Sequence, residues 1–393
     1  MTEDWSTRYG LEQWLHLFEC DGAFDGDWTA LAQWAAERGV LPLLASWAAT
    51  APSVPAELCQ QFESVRSLAV ARNLIQLNAL ASLVKAFNAA GVPIIILKGA
   101  AMLGTIYPSL ASREMGDVDV LIRPEDLERA AQILTEHGYR YPLDVYPGHP
   151  TAYILRYLSE MSFTVAQPWG PEIDLHWRLV NHEWYEGVIR IDTTGVWARS
   201  RSVDLDGVTA LGLSIEDLIW HLCLHASLHK DGQLLRRLID IDRVIRSEAG
   251  AVDFEALVQR VRTYHIKSLV YFSLAAATNW LRTPVSETVL ARLKPSAWQL
   301  RVINRLVTPH EALAAQERSR TTDRLLQLVL ADTGLDRLKM IRNAILPSPE
   351  WISMHYHVHG PIRIGVYRLR HFYRSVKAAG LQIKQAFTSR VFP

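Results

Sequence analysis

Cysteine is scarce in this chain. The three residues, Cys20, Cys59 and Cys223, are odd in number and widely separated over 393 positions. They can build neither a disulfide framework nor a CxxC metal or redox pair, so a reducing compartment fits best. Neither sign of charge is in excess: Lys plus Arg and Asp plus Glu stand at 41 each. No global field therefore draws the chain toward nucleic acid or an anionic membrane, and any such binding has to be local. Glycine (21) and proline (18) are too few for a low-complexity or collagen-like chain. Long apolar runs are missing as well. The strongest, Val92 to Leu97, is far short of the roughly 20 residues that span a bilayer. The opening MTEDWSTRYG has no basic stretch followed by an apolar one, as a secretory signal requires. The expectation is a folded cytoplasmic protein with no membrane partner.

With 49% hydrophobic residues, the chain can bury a large core. Residues 1–90 read as a helical N-terminal region, with 3.6-type periodicity in Leu11, Trp14, Leu15 and Phe18 and again from Leu74 to Phe87. A core follows over 91–185. Val92 to Leu97 is a short apolar run rich in β-branched residues, as in a strand buried on both faces. Gly99 to Ile106 opens a short helix, Met115 to Ile122 alternates as a second strand, and Pro124 to His137 is a helix stopped by Gly138. Met161 to Ala166 and Glu172 to Trp177 look like two more strands joined by a Pro- and Gly-containing turn at 167–171. Residues 186–336 read as a helical domain and 337–393 as a basic C-terminal segment, with ten Lys or Arg against the single acid Glu350. The fold class expected is α+β, a small mixed sheet embedded in a mostly helical protein.

The chemistry concentrates in Leu97-Lys98-Gly99, in Arg113 followed by Met115-Gly116-Asp117-Val118-Asp119-Val120, and in Ile173-Asp174-Leu175-His176-Trp177. Asp117 and Asp119 are two apart on a predicted strand, so both carboxylates leave one face while Val118 and Val120 point to the core. Carboxylates that close repel each other unless a cation sits between them. Oxygen ligands select hard cations, Mg²⁺ or Mn²⁺. Asp174 has the same in-out alternation on another strand and makes a third carboxylate, and such a set can hold two metals for phosphoryl or nucleotidyl transfer. Lys98-Gly99, at a strand-to-helix turn, supplies a phosphate cradle and a point charge.

As an ordered set these motifs resemble the nucleotidyltransferase superfamily with its DNA polymerase β-like fold, in particular a bacterial branch with LKG, then Arg and DxD, then a DLHW segment. The stretches RNLIQLNALASLVKAFNAAGVPIIILKGAAML and LPSPEWISMHY are similar to that branch too, so the resemblance extends over most of the chain. It implies that Asp117 and Asp119 bind the metals and the triphosphate of an NTP. Asp174 would complete the metal site and act as base for an acceptor hydroxyl, and Gly99 would hold the β- and γ-phosphates. Many relatives carry Gly-Ser where this chain has Gly99-Ala100, so a hydroxyl that touches phosphate is missing and Lys98 would take part of that duty. Arg113 and His176 are expected to contact the nucleotide, and Trp177 is a candidate for base stacking.

Other groups are read as structural. Glu114 and Glu172 are expected to be solvated or strand-edge residues. His221, His225 and His229 share a helical face at i, i+4 and i+8 but lack acid or cysteine companions at ligand spacing, and His355, His357 and His359 would share a face only on a strand. Asp240 and Asp242 repeat the DxD letters inside a helical pattern, where residues two apart diverge by about 200°. The function expected is metal-dependent transfer of an NMP, in the first place AMP from ATP, to a hydroxyl or phosphate of an acceptor, with release of pyrophosphate. The rivals are a nucleotide- or RNA-binding module without turnover, suggested by Ala100 and the basic C-terminal segment, and a metal-dependent phosphoesterase.

Overall fold

The computed structural model describes residues 10–15, 24, 26–51, 53–140, 151–166, 170–180, 182–205, 207–229, 232–307 and 319–388. Phe18, Cys20 and the centre of the turn at 167–169 lie outside them.

Six strands form one mixed sheet: β1 (Ile95–Ile96), β2 (Val118–Leu121), β3 (Glu160–Phe163), β4 (Ile173–His176), β5 (Arg201–Leu205) and β6 (Val208–Gly212). Their spatial order is β3-β4-β2-β1-β6-β5. β2 runs antiparallel to β1 and parallel to β4, and β3 and β5 are antiparallel edge strands. The helices that frame it include α1 (Trp28–Glu37), α2 (Leu41–Ala48), α3 (Ala56–Ala89), α4 (Lys98–Met102), α5 (Leu127–Glu136), α6 (Ile215–Leu228), α7 (Leu234–Ser247) and α8 (Pro361–Thr388). This is the α+β architecture expected, with strand, helix, strand, helix following one another from Ile95 to Glu136.

The core sits where the apolar runs meet. Ile95, Ile96, Val118, Leu121, Ile173 and Leu175 have no exposed surface, and each buried side chain of this kind contributes roughly 1.5–3 kcal/mol. α5 lays the expected stripe of Leu127, Ala130, Ala131 and Leu134 against the core, and Gly138 follows it with φ +84°, a left-handed conformation that suits glycine.

The sheet is larger than 91–185. β5 and β6 form a hairpin within the stretch read as helical, turned by Gly207 at φ +82° and by its amide donating to Asp204 Oδ1 at 2.7 Å. Alternate β5 residues are exposed, so its apolar signal is weak, and the parallel pairing of β6 with β1 is a long-range contact that periodicity does not reveal.

α3 is long and apolar enough to cross a membrane by length and composition, but here two of its polar residues hold the segment that leads into β2. Asn73 Nδ2 donates to the carbonyls of Leu110 and Arg113 at 2.7 Å each, and its Oδ1 accepts from the Met115 amide at 3.0 Å. Gln76 Nε2 donates to the Met115 and Gly116 carbonyls at 2.8 and 3.2 Å. A strand that must present two aspartates has its entry clamped from a helix about forty residues upstream.

Candidate active site

Register decides which side chains meet. In the parallel β2/β4 pair Asp119 is opposite Asp174, and in the antiparallel β3/β4 pair Ser162 is opposite Asp174 and Glu160 opposite His176. Since residues paired across strands share a face, one face of the sheet carries Asp119, Asp174, His176, Ser162 and Glu160. Asp119 is buried, and its Oδ1 accepts from Lys98 Nζ at 2.6 Å and faces His176 Nε2 at 2.8 Å. The other ring nitrogen, Nδ1, is 2.9 Å from Glu160 Oε2, and Ser162 Oγ donates to Asp174 Oδ1 at 2.6 Å. Lys98 reaches in from the first residue of the single-turn α4 with φ +42°. That conformation is uncommon for a residue with a Cβ and is retained where the surroundings enforce it.

The two paired carboxylates are held in opposite electrostatic states. Burial works to raise Asp119, but Lys98 and His176 outweigh it and hold its carboxyl well below the usual range. Asp174 is pushed up to about 6, by burial first and then by Asp119 and Asp117, against the Ser162 hydrogen bond. Asp117 is raised by desolvation and by Asp119. His176 moves to about 9, because its bonds to Asp119 and Glu160 overcome the desolvation that would lower it, so it is charged at neutral pH.

Ligand atoms of Asp119, Asp174 and His176 lie within 4.8 Å of one another. Around them four carboxylates, Asp117, Asp119, Glu160 and Asp174, face Lys98 and protonated His176, with Arg236 near Asp117. The surplus negative charge suits a divalent ion, and His176, with Glu160 on its far nitrogen, joins the ligands on giving up its proton. The residues present therefore fit the metal that the sequence motifs imply.

Behind the site a second constellation fixes its frame. Arg113 donates from Nε and Nη2 to the two oxygens of Asp240 on α7, at 2.9 and 3.0 Å, and Tyr107 Oη donates to Asp240 Oδ1 at 2.8 Å. All three are largely buried. A Cβ placed on Gly99 would meet Arg113 Nη1 at 2.6 Å, so glycine is needed there for the guanidinium to pass beneath α4.

Comparison with known proteins agrees with this geometry. The sequence pattern of a family described as an uncharacterised nucleotidyltransferase matches residues 25–282. The chain belongs to that family. No curated protein matches it. Among solved structures, an antigenic nucleotidyltransferase-like protein from Paracoccidioides brasiliensis is similar at 14% identity and a TM-score of 0.35, covering 55% of this chain and 93% of that one. The family match spans every residue of the carboxylate cluster.

Within this nucleotidyltransferase fold the residues singled out from sequence divide into three groups. Lys98, Asp119, Asp174 and His176 meet as described. Asp117 stands exposed just before β2, outside the set of converging donor atoms. Arg113 is engaged through Nε and Nη2 by Asp240, and Gly99 leaves room for its Nη1. Trp177 is fully buried, its indole N–H directed to the Leu155 carbonyl at 3.3 Å, so it does not present a face for stacking. His355 ends a helix and His357 takes φ +52°, so the 355/357/359 alternation is not a strand. One group was missed: Glu160 lies in a half-exposed edge strand with no motif spacing to mark it. His221 is packed on its helix as expected: it is buried on α6 with neither ring nitrogen hydrogen-bonded, and desolvation followed by the nearby charges of Lys98 and His176 pushes it down to about 3.

Proposed function

We propose that this protein transfers an NMP, AMP from ATP in the first instance, to a hydroxyl or phosphate oxygen of an acceptor and releases pyrophosphate. The observation that carries the reading is the side-by-side placement of Asp119 and Asp174 on parallel strands with Lys98 at their mouth. A Mg²⁺ or Mn²⁺ held by Asp119 and Asp174, with Asp117 and His176 beside them, would neutralise triphosphate charge and acidify the acceptor hydroxyl. The acceptor oxygen forms a bond to the α-phosphorus, the α–β bridging bond breaks, and the pair of electrons leaves with pyrophosphate. Asp174 receives the acceptor proton. Lys98 can turn from Asp119 to the departing phosphates. A cytoplasmic setting belongs to the same reading, supported by the free Cys59 and Cys223.

The test supplies α-labelled ATP and Mg²⁺, with a cell extract as acceptor source. Label should pass to an acceptor with stoichiometric pyrophosphate, and the Asp117→Asn/Asp119→Asn double variant should show none. Unchanged labelling in that variant overturns the assignment. A second reading, a nucleotide-binding module without turnover, is favoured by Lys98 already occupying Asp119. It expects calorimetric NTP binding that ignores Mg²⁺ and yields no pyrophosphate. A phosphoesterase would instead release inorganic phosphate from simple esters.

A further inference from the structure

We infer that the outer face of the C-terminal helix α8 is a docking seam for an amphipathic helix of another protein that carries acidic residues along its flank. Ile362, Val366, Leu369, Tyr373 and Val376 recur at spacings of four, three, four and three. All five are exposed, by 82, 60, 70, 66 and 46%. That spacing is the narrow seam of a two-helix coiled coil, in which apolar residues alternate three and four apart along one line.

The helix cannot roll this seam inward, because its opposite side is tethered. His371 lies between the Tyr356 hydroxyl, 2.9 Å from Nδ1, and the Ala344 carbonyl, 3.1 Å from Nε2. Tyr367 packs against Tyr356 with ring centroids 5.3 Å apart and the planes tilted by 51°.

Charge selects the occupant. Arg363, Arg370 and Lys377 are exposed and each directly follows a seam residue, which puts them in one row beside it, seven residues apart. The other flank offers Gly365 and Phe372, and the helix has six Lys or Arg and no acid in its 28 residues. A second copy of the chain would set this basic row against itself when antiparallel, or against an uncharged flank when parallel. Flanking charges decide which helices pair, so the complement is a helix with the same apolar spacing and Glu or Asp on its edges. A nucleic acid would leave the apolar residues at the centre without use, and a bilayer favours a broader apolar face than this one.

The experiment uses the full chain and two synthetic helices with leucine at the four-three spacing, one flanked by glutamate and one by lysine, read by fluorescence anisotropy. The glutamate helix should bind saturably and the lysine helix should not. Val366→Ala/Leu369→Ala should weaken binding by roughly a hundredfold or more. Arg363→Glu/Arg370→Glu/Lys377→Glu should weaken it by roughly tenfold and give measurable affinity for the lysine helix. These positions are solvent-facing, and circular dichroism checks that each variant keeps its helix content. Binding of both helices alike, or of neither, overturns the inference. It also fails if the chain dimerises in sedimentation velocity in a manner abolished by Val366→Asp, or if the same variants instead abolish capture by phosphatidylglycerol vesicles or by single-stranded RNA. Nucleotide transfer plays no part in any of these readouts.

Discussion

Two of the chain's Asp-x-Asp sequences, Asp117-Val118-Asp119 and Asp240-Ile241-Asp242, do opposite work. On the strand, Asp119 joins Asp174 across a parallel register, and Asp117 stands close enough for the three to raise or resist one another's protonation. On helix α7 the letters part. Asp240 points inward to Arg113 and Tyr107, while Asp242 takes Arg246 Nε at 2.8 Å and the Thr283 hydroxyl at 2.8 Å. A period of two gathers negative charge on one face and creates a demand for a cation, whereas a period of 3.6 sends each carboxylate to its own partner. The helical copy nevertheless serves the strand copy. Through Arg113 it holds the loop that α3 clamps from the other side, so the site is braced by the pair that only resembles it.

The sharpest way to separate the two copies is to neutralise one carboxylate in each. Asp119→Asn should bring label transfer from α-labelled ATP to background and lower stability as well, since it takes the charged partner from both Lys98 and His176. Asp240→Asn should lower stability while the carboxylate cluster keeps its charge and label transfer stays measurable. Arg113 is then buried without its ion-pair partner, and breaking such a pair costs about 3–5 kcal/mol, seen as a lower urea midpoint. Label transfer at background in both variants would dissolve the contrast.

Smaller effects test the supports. Glu160→Ala should weaken Mn²⁺ binding in calorimetry by about 10–100-fold, the usual consequence of removing a carboxylate behind a ligating histidine, with Glu160→Gln recovering part of the loss. Asn73→Ala leaves two carbonyls and an amide without their partner, and should lower stability by about 1–3 kcal/mol in urea titration. The gentlest probe is pH. His221 is folded in its neutral form, with its pKa lowered from the ordinary value to about 3. The unfolded chain then binds more protons between about pH 6.5 and 3, and stability falls as pH drops through that window. His221→Leu should flatten the acid side of a plot of thermal midpoint against pH, whereas an unchanged slope would assign that side to other groups.

The strand at Val118 to Leu121 and the carboxylates on it were legible, because alternation has a period that survives in one dimension. So were α5 and its stop at Gly138, since capping chemistry is local. Asp174 was legible as a strand residue with the right alternation, and its register with Asp119 was an extrapolation that the sheet made real. Glu160 was not legible: it matters only because β3 pairs antiparallel with β4 and sets it opposite His176. The Arg113–Asp240 pair joins residues 127 apart in the chain, and no spacing rule links a loop arginine to an aspartate inside a helical stripe. β5 and β6 were lost for a related reason, since the half-exposed edge strand β5 has little apolar contrast and β6 is fixed by a long-range pairing with β1.

Composition and short-range period thus determined that this chain folds around a small sheet, and that acidic side chains leave one face of it. Both are statements about neighbours in sequence, where backbone geometry alone dictates which way a side chain points. Only the folded arrangement decided that Lys98 and His176 converge on Asp119, that Asp174 and not Asp117 stands beside it, and that Arg113 pairs with Asp240. Those outcomes depend on strand register and on charge pairs closed across long loops, and such contacts form only once the whole chain is packed.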